Sequence, residues 1–410
     1  MQEFDVAIVG GGMVGASCAL ALAGTGRSVV LIEGIAPDGA AQPSFDERTT
    51  ALGNSSRRIF ESLGVWPRLE PHAAAIRTIH VSEAGRFGFA RLKADAQGID
   101  AFGYVVANRV IGAALWGALA NAAGVSARVP ARPQSVEIAP DAVTLTIVDA
   151  AGERERLKAR VVVAADGAHS VVRAAAGIAA SVEDYGQVAL VMNVQADRPH
   201  DGTAFERFTS AGPRAVLPLQ DGSVSVVWTA APPHAARLLA LPDAAFIEEL
   251  QACFGWRAGR FLRVGHRASY ALHLTRAAAS VALRTALIGN AAQALHPVAG
   301  QGFNLGLRDA AMLAELIAAG DEDAGAAALL DQFADWRARD RSGVIRFTDG
   351  LIKLFGDGRR SVGMLRNLGL LLFDLAPPAK SALARVSAGF GGPTPRLARG
   401  LGLIVAATRG

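Results

Sequence analysis

The feature that most restricts how this chain can fold lies in residues 4–33. Phe4 to Val9 is a short apolar run rich in β-formers, and it stops at Gly10-Gly11-Gly12. A helical pattern follows from Met13 to about Ala23, then a turn at Gly24 to Gly26, then a second apolar run, Ser28 to Ile32, that closes on Glu33. Strand, helix and strand in this order predict a βαβ unit with parallel strands. Gly10-x-Gly12-x-x-Gly15 stands at the strand-to-helix junction. Gly10 permits the tight turn, Gly12 lets the backbone approach a pyrophosphate, and Gly15, with Ala19 a turn later, lets the helix pack closely on the sheet. Phosphates would rest on the free N–H groups and positive end of that helix. Glu33 is placed to accept hydrogen bonds from an adenosine ribose, and its charge disfavours a 2′-phosphate. The unit therefore predicts FAD or NAD, not NADP, as the dinucleotide held.

A chain of 410 residues is long enough for two or three packed domains of roughly 100 to 200 residues each. With 51% hydrophobic and 19% charged residues it can bury a large core, which excludes disorder as its main state. Cys18 and Cys253 lie far apart, and the eight histidines include no HxxH or HExxH pair, so neither a disulfide framework nor a metal site is expected. A net charge of +4 is too small to suggest a nucleic-acid partner. Met1 to Asp5 carries no basic or apolar leader, so the expected location is cytoplasmic. Charge is nevertheless uneven. Residues 341–410 hold eleven Lys/Arg against three Asp, a net +8. This tail also carries two apolar clusters, Leu368 to Phe373 and Leu401 to Val405, both far shorter than the roughly 20 residues of a membrane-spanning helix. Two readings stand: buried faces of C-terminal helices, or a surface resting on anionic lipid at the inner face of the membrane.

Further along, Ile59 to Leu69 and Val110 to Ala123 read as helices, and Thr78 to Val81 and Val143 to Val148 as strands. From Val188 to Leu274 the pattern is mostly strands, with a hairpin expected at Asp221-Gly222. Thr285 to Ile288 reads as a strand running into Gly289, and the chain beyond Asn304 is mainly helical. Two further elements carry chemistry. In Val161 to Arg173 a buried strand stops at Asp166-Gly167, with Ser170 and Arg173 following at helical spacing. As a bare feature, an Asp-Gly turn after a strand is equally ordinary turn chemistry. In Gly289-Asn290-Ala291-Ala292-Gln293 and His296 to Gly306, with Arg308-Asp309 behind, glycines and Pro297 free several backbone N–H groups where a helix begins, which makes an anion site. A loop that caps a C-terminal helix would look the same.

Taken in this order, GxGxxG with Glu33, Asp166-Gly167-x-x-Ser170-x-x-Arg173, and Gly289-Asn290 to Asn304 resemble the FAD-dependent aromatic monooxygenases of the para-hydroxybenzoate hydroxylase fold. Phe45 to Leu52, Ala204-Phe205-Glu206-Arg207-Phe208-Thr209, Phe254-Gly255-Trp256-Arg257 and Gly289 to Gln293 are similar to the ubiquinone-biosynthesis hydroxylases among them. One departure stands out: the broad family has Gly-Asp where this chain has Gly289-Asn290.

The resemblance implies an α/β fold, a Rossmann-like FAD-binding domain with an inserted, mostly antiparallel substrate domain and C-terminal helices. Its expected boundaries are 1–75, 105–180 and 280–340 for the FAD domain, 76–104 and 181–279 for the substrate domain, and 341–410 for the helical tail. It implies FAD contacts from Gly10, Gly12, Gly15, Glu33, Arg48, Asn108 and Asp166, and from Asn290, Pro297, Gly300, Gly302, Phe303 and Asn304. Arg48 read by itself is a surface arginine and Asn108 a helix N-cap. With one strand-GxGxxG-helix unit only, NADPH or NADH would visit the flavin transiently. The implied reaction is reduction of FAD, capture of O2, and transfer of one oxygen to the ring of a polyprenylated phenol. Other ubiquinone-biosynthesis proteins are expected partners. No side chain is singled out as catalytic, and the chain carries no GxSxG, no Cys/His pair and no paired carboxylates at a telling spacing. Three alternatives share the flavin motifs: a hydroxylase of small soluble phenols, which would favour a polar or cationic pocket; a reductase of prenyl chains; and a flavin-bearing interaction subunit without catalysis.

Overall fold

The computed structural model describes residues 1–37, 48–86, 88–209, 211–294, 301–320, 323–340 and 394–403. The N-terminal unit forms as its pattern dictates: strand β1 (Gln2–Val9), helix α1 (Met13–Leu22) and strand β2 (Val29–Ile32). They enter the first sheet. Five of its strands run parallel in the order Thr285–Leu287, Arg154–Ala164, β1, β2 and Val125–Arg128. All four residues of β2 are buried, as are Val6 to Val9 of β1, which is why both read as continuous apolar runs without alternation. The first half of Arg154–Ala164 also pairs antiparallel with Val143–Asp149, which pairs in turn with Ala131–Ile138.

The second sheet is antiparallel except at one pair. Its order is Gln293–Ala294, Ala268–Ala277, Ala180–Ala196, Val224–Ala230, Gly212–Pro218, Thr203–Thr209, Thr78–Glu83 and Phe89–Lys93. Thr203–Thr209 and Thr78–Glu83 run parallel, which joins residues 78–93 to a sheet otherwise built from residues 180–294. The hairpin at Asp221-Gly222 forms, with Gly222 at φ 84°. Helices Pro232–Ala240 and Asp243–Phe254 cover one face of this sheet, through Leu190, Met192, Val226, Trp228, Phe246 and Phe254. They interrupt the stretch expected to be mostly strands. A third, small sheet, Thr49–Gly53, Gly103–Ala107 and Ala74–Ile76, lies against the other face of the second sheet, with Ala74, Ile76 and Val105 packed among Leu92, Ala204 and Ile79.

The helix expected over Ile59–Leu69 is two helices, Asn54–Ser62 and Trp66–Leu69. Gly64, at φ 69°, takes the left-handed conformation that ends the first. Helix Gln301–Ala319 packs on α1 and the first sheet through Leu307, Ala310, Ala311, Leu313, Ala314 and Ile317. Of the basic tail, residues 394–403 are described. Leu397 and Ala398 are buried in the core beneath the first sheet, Leu403 packs against it, and Leu401 stays exposed. Ser62 donates to the Leu397 carbonyl at 2.9 Å, and the Arg396 N–H to Glu315 at 2.6 Å. This part of the tail is therefore core-facing. Leu368 to Phe373 lies outside the described residues. Among the described residues no helix is long and apolar enough to cross a membrane.

Candidate functional site

The parallel strands of the first sheet bring their C-terminal ends to one edge, and the glycine turns gather there. In such sheets the crevice beyond these ends is where ligands bind. Gly10 has φ 101°, and a Cβ on it would lie 2.4 Å from the Ala165 carbonyl oxygen. A Cβ on Gly15 would lie 1.9 Å from the Gly10 carbonyl oxygen and 3.0 Å from the Ala165 Cβ. Gly15 thus closes α1 onto its own entry turn and the end of the neighbouring strand. Gly12 is the N-cap of α1. No side chain caps the helix and no acidic residue stands in its first turn, so its first N–H groups point out unclaimed by side chains. Such an end suits an anionic pyrophosphate.

Glu33, at the end of β2, is buried, and its carboxylate accepts from the N–H groups of Gly11 at 2.5 Å and Ile35 at 2.9 Å. Each oxygen keeps a lone pair for a ribose hydroxyl. Asp166 follows the strand Arg154–Ala164. Its Oδ2 accepts from Val171 N–H at 2.8 Å, while its Oδ1 is buried with no partner among the described residues. An orphaned carboxylate oxygen beside Gly10 fits a hydroxyl donor from a bound nucleotide.

Asn290 sits in the 3-10 turn Gly289–Ala291 at the end of Thr285–Leu287, exposed and without a partner among the described residues. The turn is held from three sides. Arg173 donates to the Ala291 carbonyl at 2.8 Å and to the Ala168 carbonyl at 2.7 Å, which ties the Asp166 and Asn290 turns together. Asp309 accepts from Gly289 N–H at 3.4 Å. Val14 of α1 fills the space that a Cβ on Gly289 would enter, at 3.2 Å.

A second group lies along the strand Thr49–Gly53. Asn108 opens the helix Asn108–Leu119, but Ala107 is its N-cap, so the reading of Asn108 as a capping residue fails. Its side chain accepts from Thr50 Oγ1 at 2.7 Å, and its N–H donates to the Arg48 carbonyl at 2.9 Å. The Arg48 guanidinium lies 4.6 Å over the ring of Tyr270, on the second sheet, which corrects its reading as a plain surface arginine. Asn304 is buried and spends its amide within the chain: it accepts from Gly53 N–H at 2.9 Å and Ser56 Oγ at 2.6 Å and donates to the Ala51 carbonyl at 2.8 Å. Phe303 stacks on Phe60 at 6.2 Å. Both side chains seat the start of helix Gln301–Ala319, which leaves the backbone of Phe303 and Asn304 for the expected cofactor contact. Gly302, in the first turn of that helix, has open space where a Cβ would be. Pro297 and Gly300 lie outside the described residues.

Sequence reasoning passed over several residues here. Trp116 donates to the Gly11 carbonyl at 3.1 Å, and a Cβ on Gly11 would lie 2.7 Å from its ring. Behind the Gly289 turn are two buried ion pairs, Arg337 to Asp309 at 2.8 Å and Arg308 to Asp340 at 3.0 Å. Burial pushes the Asp309 carboxyl up, against the pull of Arg337. The sequence showed Arg308-Asp309 behind the glycine segment, but not their partners Asp340 and Arg337.

The face of the second sheet turned toward the small third sheet carries a cross-strand row. Val81, Glu206, Ala215, Val227, Val191 and Ala268 are direct register partners across six strands. Ser225, one pair along this face, bonds Thr49 at 3.0 Å, and Tyr270 lies under Arg48. The row is half-exposed over most of its length and apolar apart from Glu206.

The family model for the FAD binding domain matches residues 3–348. The ubiquinone hydroxylase UbiL of Rhodospirillum rubrum is 38% identical over 406 residues, 97% of this chain and 93% of that protein. The 3-demethoxyubiquinol 3-hydroxylase of Escherichia coli is 32% identical over 402 residues, 95% of this chain and 99% of that protein. Among solved structures, p-nitrophenol 4-monooxygenase from Pseudomonas putida superposes with a TM-score of 0.78 at 20% identity, covering 96% of this chain and 99% of that one. That likeness concerns the fold. With an uncapped helix end, a glycine cradle that no Cβ can enter and an orphaned Asp166 oxygen at the strand ends, this chain belongs to the FAD-binding family of flavin-dependent monooxygenases, in the group of ubiquinone-biosynthesis hydroxylases.

Proposed function

We propose that this flavin-dependent monooxygenase hydroxylates the ring of a polyprenylated phenol in ubiquinone biosynthesis, consuming NAD(P)H and O2. The observation that carries the reading is near full-length similarity to two hydroxylases whose names specify ubiquinone or its precursor. FAD, when bound, supplies the redox and oxygen-transfer chemistry. The chain's residues bind and orient it. Gly10, Gly12 and Gly15 let the pyrophosphate settle on the N–H groups of α1, Glu33 and Asp166 receive hydroxyl donors, and Asn290 offers its amide to the ribityl chain. Arg48, just before the strand Thr49–Gly53, and Asn108, at the start of helix Asn108–Leu119, border the cofactor, with Gly302 at the start of helix Gln301–Ala319. We assign the first and third sheets to the FAD domain and the second to the substrate domain.

The half-exposed row on the second sheet favours an apolar ring and chain over a small charged phenol, because Val81, Ala215, Val227 and Val191 offer no cationic partner. A prenylated ring must be drawn from a membrane or from a partner protein. The +8 charge of residues 341–410 suits an anionic leaflet, at about 1 kcal/mol for each Lys or Arg near its surface. We therefore place the enzyme at the inner face of the membrane as a peripheral protein. A strain lacking this protein should accumulate the unhydroxylated prenylated precursor, identified by mass spectrometry of its lipid extract. Unchanged ubiquinone with no accumulated precursor contradicts the reading.

A further inference from the structure

Glu206 is not among the residues assigned to FAD above, and its environment is unusual for a carboxyl. Strand Thr203–Thr209 alternates. Phe205 points to the helix-covered face, where it meets Phe254 at 6.0 Å, while Ala204 joins the cluster on the opposite face. Glu206 shares that second face. Its direct partners on the two flanking strands are Val81 and Ala215, and the row continues through Val227, Val191 and Ala268. It makes no hydrogen bond or ion pair among the described residues. Burial pushes its carboxyl up to about 8 and is the sole cause of the rise.

Among the described residues, the other titratable groups in this row and the two beside it are Glu83, one pair along and opposite Phe208, and Tyr270, with Arg48 over it at the far end. From the neighbouring strand Phe89–Lys93 this face receives Ala90 and Leu92, and from the third sheet Ala74, Ile76 and Val105, none of which carries charge. Arg207 and Arg214, direct partners across the ladder, belong to the helix-covered face. The half-exposure of the row leaves the Glu206 carboxyl within reach of a ligand, and a ring that covers the row and displaces water must complete the carboxyl's hydrogen bonds.

We propose that Glu206 anchors the substrate: its side chain hydrogen-bonds the phenolic hydroxyl of a ring laid against this row, and so sets which ring carbon is presented for hydroxylation. As a neutral acid it donates its own O–H to the phenolic oxygen and accepts the phenol O–H on its carbonyl oxygen. The flanking Val81, Ala215 and Val227 cover the ring and the start of its chain. The assignment rests on the polyprenylated phenol reading above.

The test is a binding titration of FAD-loaded protein with 2-prenylphenol and with prenylbenzene, the same molecule without the hydroxyl, read by the change in flavin fluorescence. Wild type is expected to bind the phenol about 3- to 10-fold more tightly than the hydrocarbon, the value of one net hydrogen bond. Glu206→Leu should bind both alike. Raising the pH through 8 should tighten phenol binding to wild type, because the ionised carboxylate accepts the phenol O–H in a charge-assisted bond, whereas Glu206→Gln should discriminate without that pH step. If Glu206→Leu fails to fold, the Gln profile decides. Discrimination retained in Glu206→Leu, or matching pH profiles for wild type and Glu206→Gln, overturns the role of Glu206 alone. A wild type that discriminates in neither direction, or binds neither compound, overturns the substrate reading and this assignment with it.

Discussion

The cofactor cradle and the inner face of the second sheet are built on opposite plans. The cradle is made of backbone: glycine turns with left-handed or Cβ-intolerant geometry, an uncapped helix end, and carboxylates tied to neighbouring N–H groups. The row on the second sheet, which we propose as the substrate face, is made of side chains, one from each of six strands, that meet only through ladder register. At Gly10 and Gly15 the first plan tolerates no side chain, because an added Cβ meets backbone. The second tolerates changes of size and responds to changes of polarity. Catalysis by the bound cofactor needs one fixed geometry, whereas substrate choice needs a surface that can vary.

The sharpest way to break this contrast is Gly15→Val. A Cβ there lies 1.9 Å from the Gly10 carbonyl oxygen, so α1 must leave its place. We expect loss of FAD and a destabilisation of about 3 kcal/mol or more, checked by bound flavin and by urea unfolding. Next is Arg337→Met, which leaves Asp309 buried without its partner behind the Gly289 turn. Removing one member of a buried pair costs about 3–5 kcal/mol. Adding Asp309→Asn should recover much of it, and equal unfolding midpoints for the single and double variants contradict the pairing.

The third prediction moves to the substrate face. Burial pushes the Glu206 carboxyl up from its ordinary 4.5 to about 8. The native state therefore holds this proton more tightly than the unfolded chain does. The resulting stability is fully present below about pH 4.5 and is lost as the pH rises through 8. Wild type should lose stability across this window relative to Glu206→Gln, as followed by thermal unfolding at several pH values. Parallel curves for the two proteins place the carboxyl in water. The smallest effect belongs to Asn290, which is exposed in its turn. Asn290→Leu leaves a ribityl hydroxyl unpaired and should weaken FAD by about 1 to 3 kcal/mol, while Asn290→Asp stays close to wild type in the same titration.

These two plans also explain what the sequence made legible. Gly10, Gly15 and Asp166 were readable because strand-end turns are contiguous, and a glycine there has a local steric cause. The βαβ unit and the hairpin at Asp221-Gly222 were readable for the same reason. Arg173 and Asp309 stood in the quoted motifs, but Arg173 and Trp116 reach partners 118 and 105 residues away along the chain, and no local pattern announces such partners. The break at Gly64 hid inside an apolar run whose period fits one helix as well as two. Phe303 and Asn304 sit in a glycine-rich segment that faces the cofactor by pattern, yet their side chains turn to Phe60 and to the strand Thr49–Gly53. Glu206 looked like any charged residue of a strand until register placed it among valines and alanine.

The central claim is that this chain inserts oxygen into a prenylated phenol. The most direct measurement incubates the FAD-loaded protein with NADPH, 2-prenylphenol and isotopically heavy O2, and examines the product by mass spectrometry. The account predicts a ring-hydroxylated phenol carrying one heavy oxygen atom, formed in step with NADPH consumption. NADPH oxidation that ends entirely in hydrogen peroxide, with the phenol recovered unchanged, would contradict it.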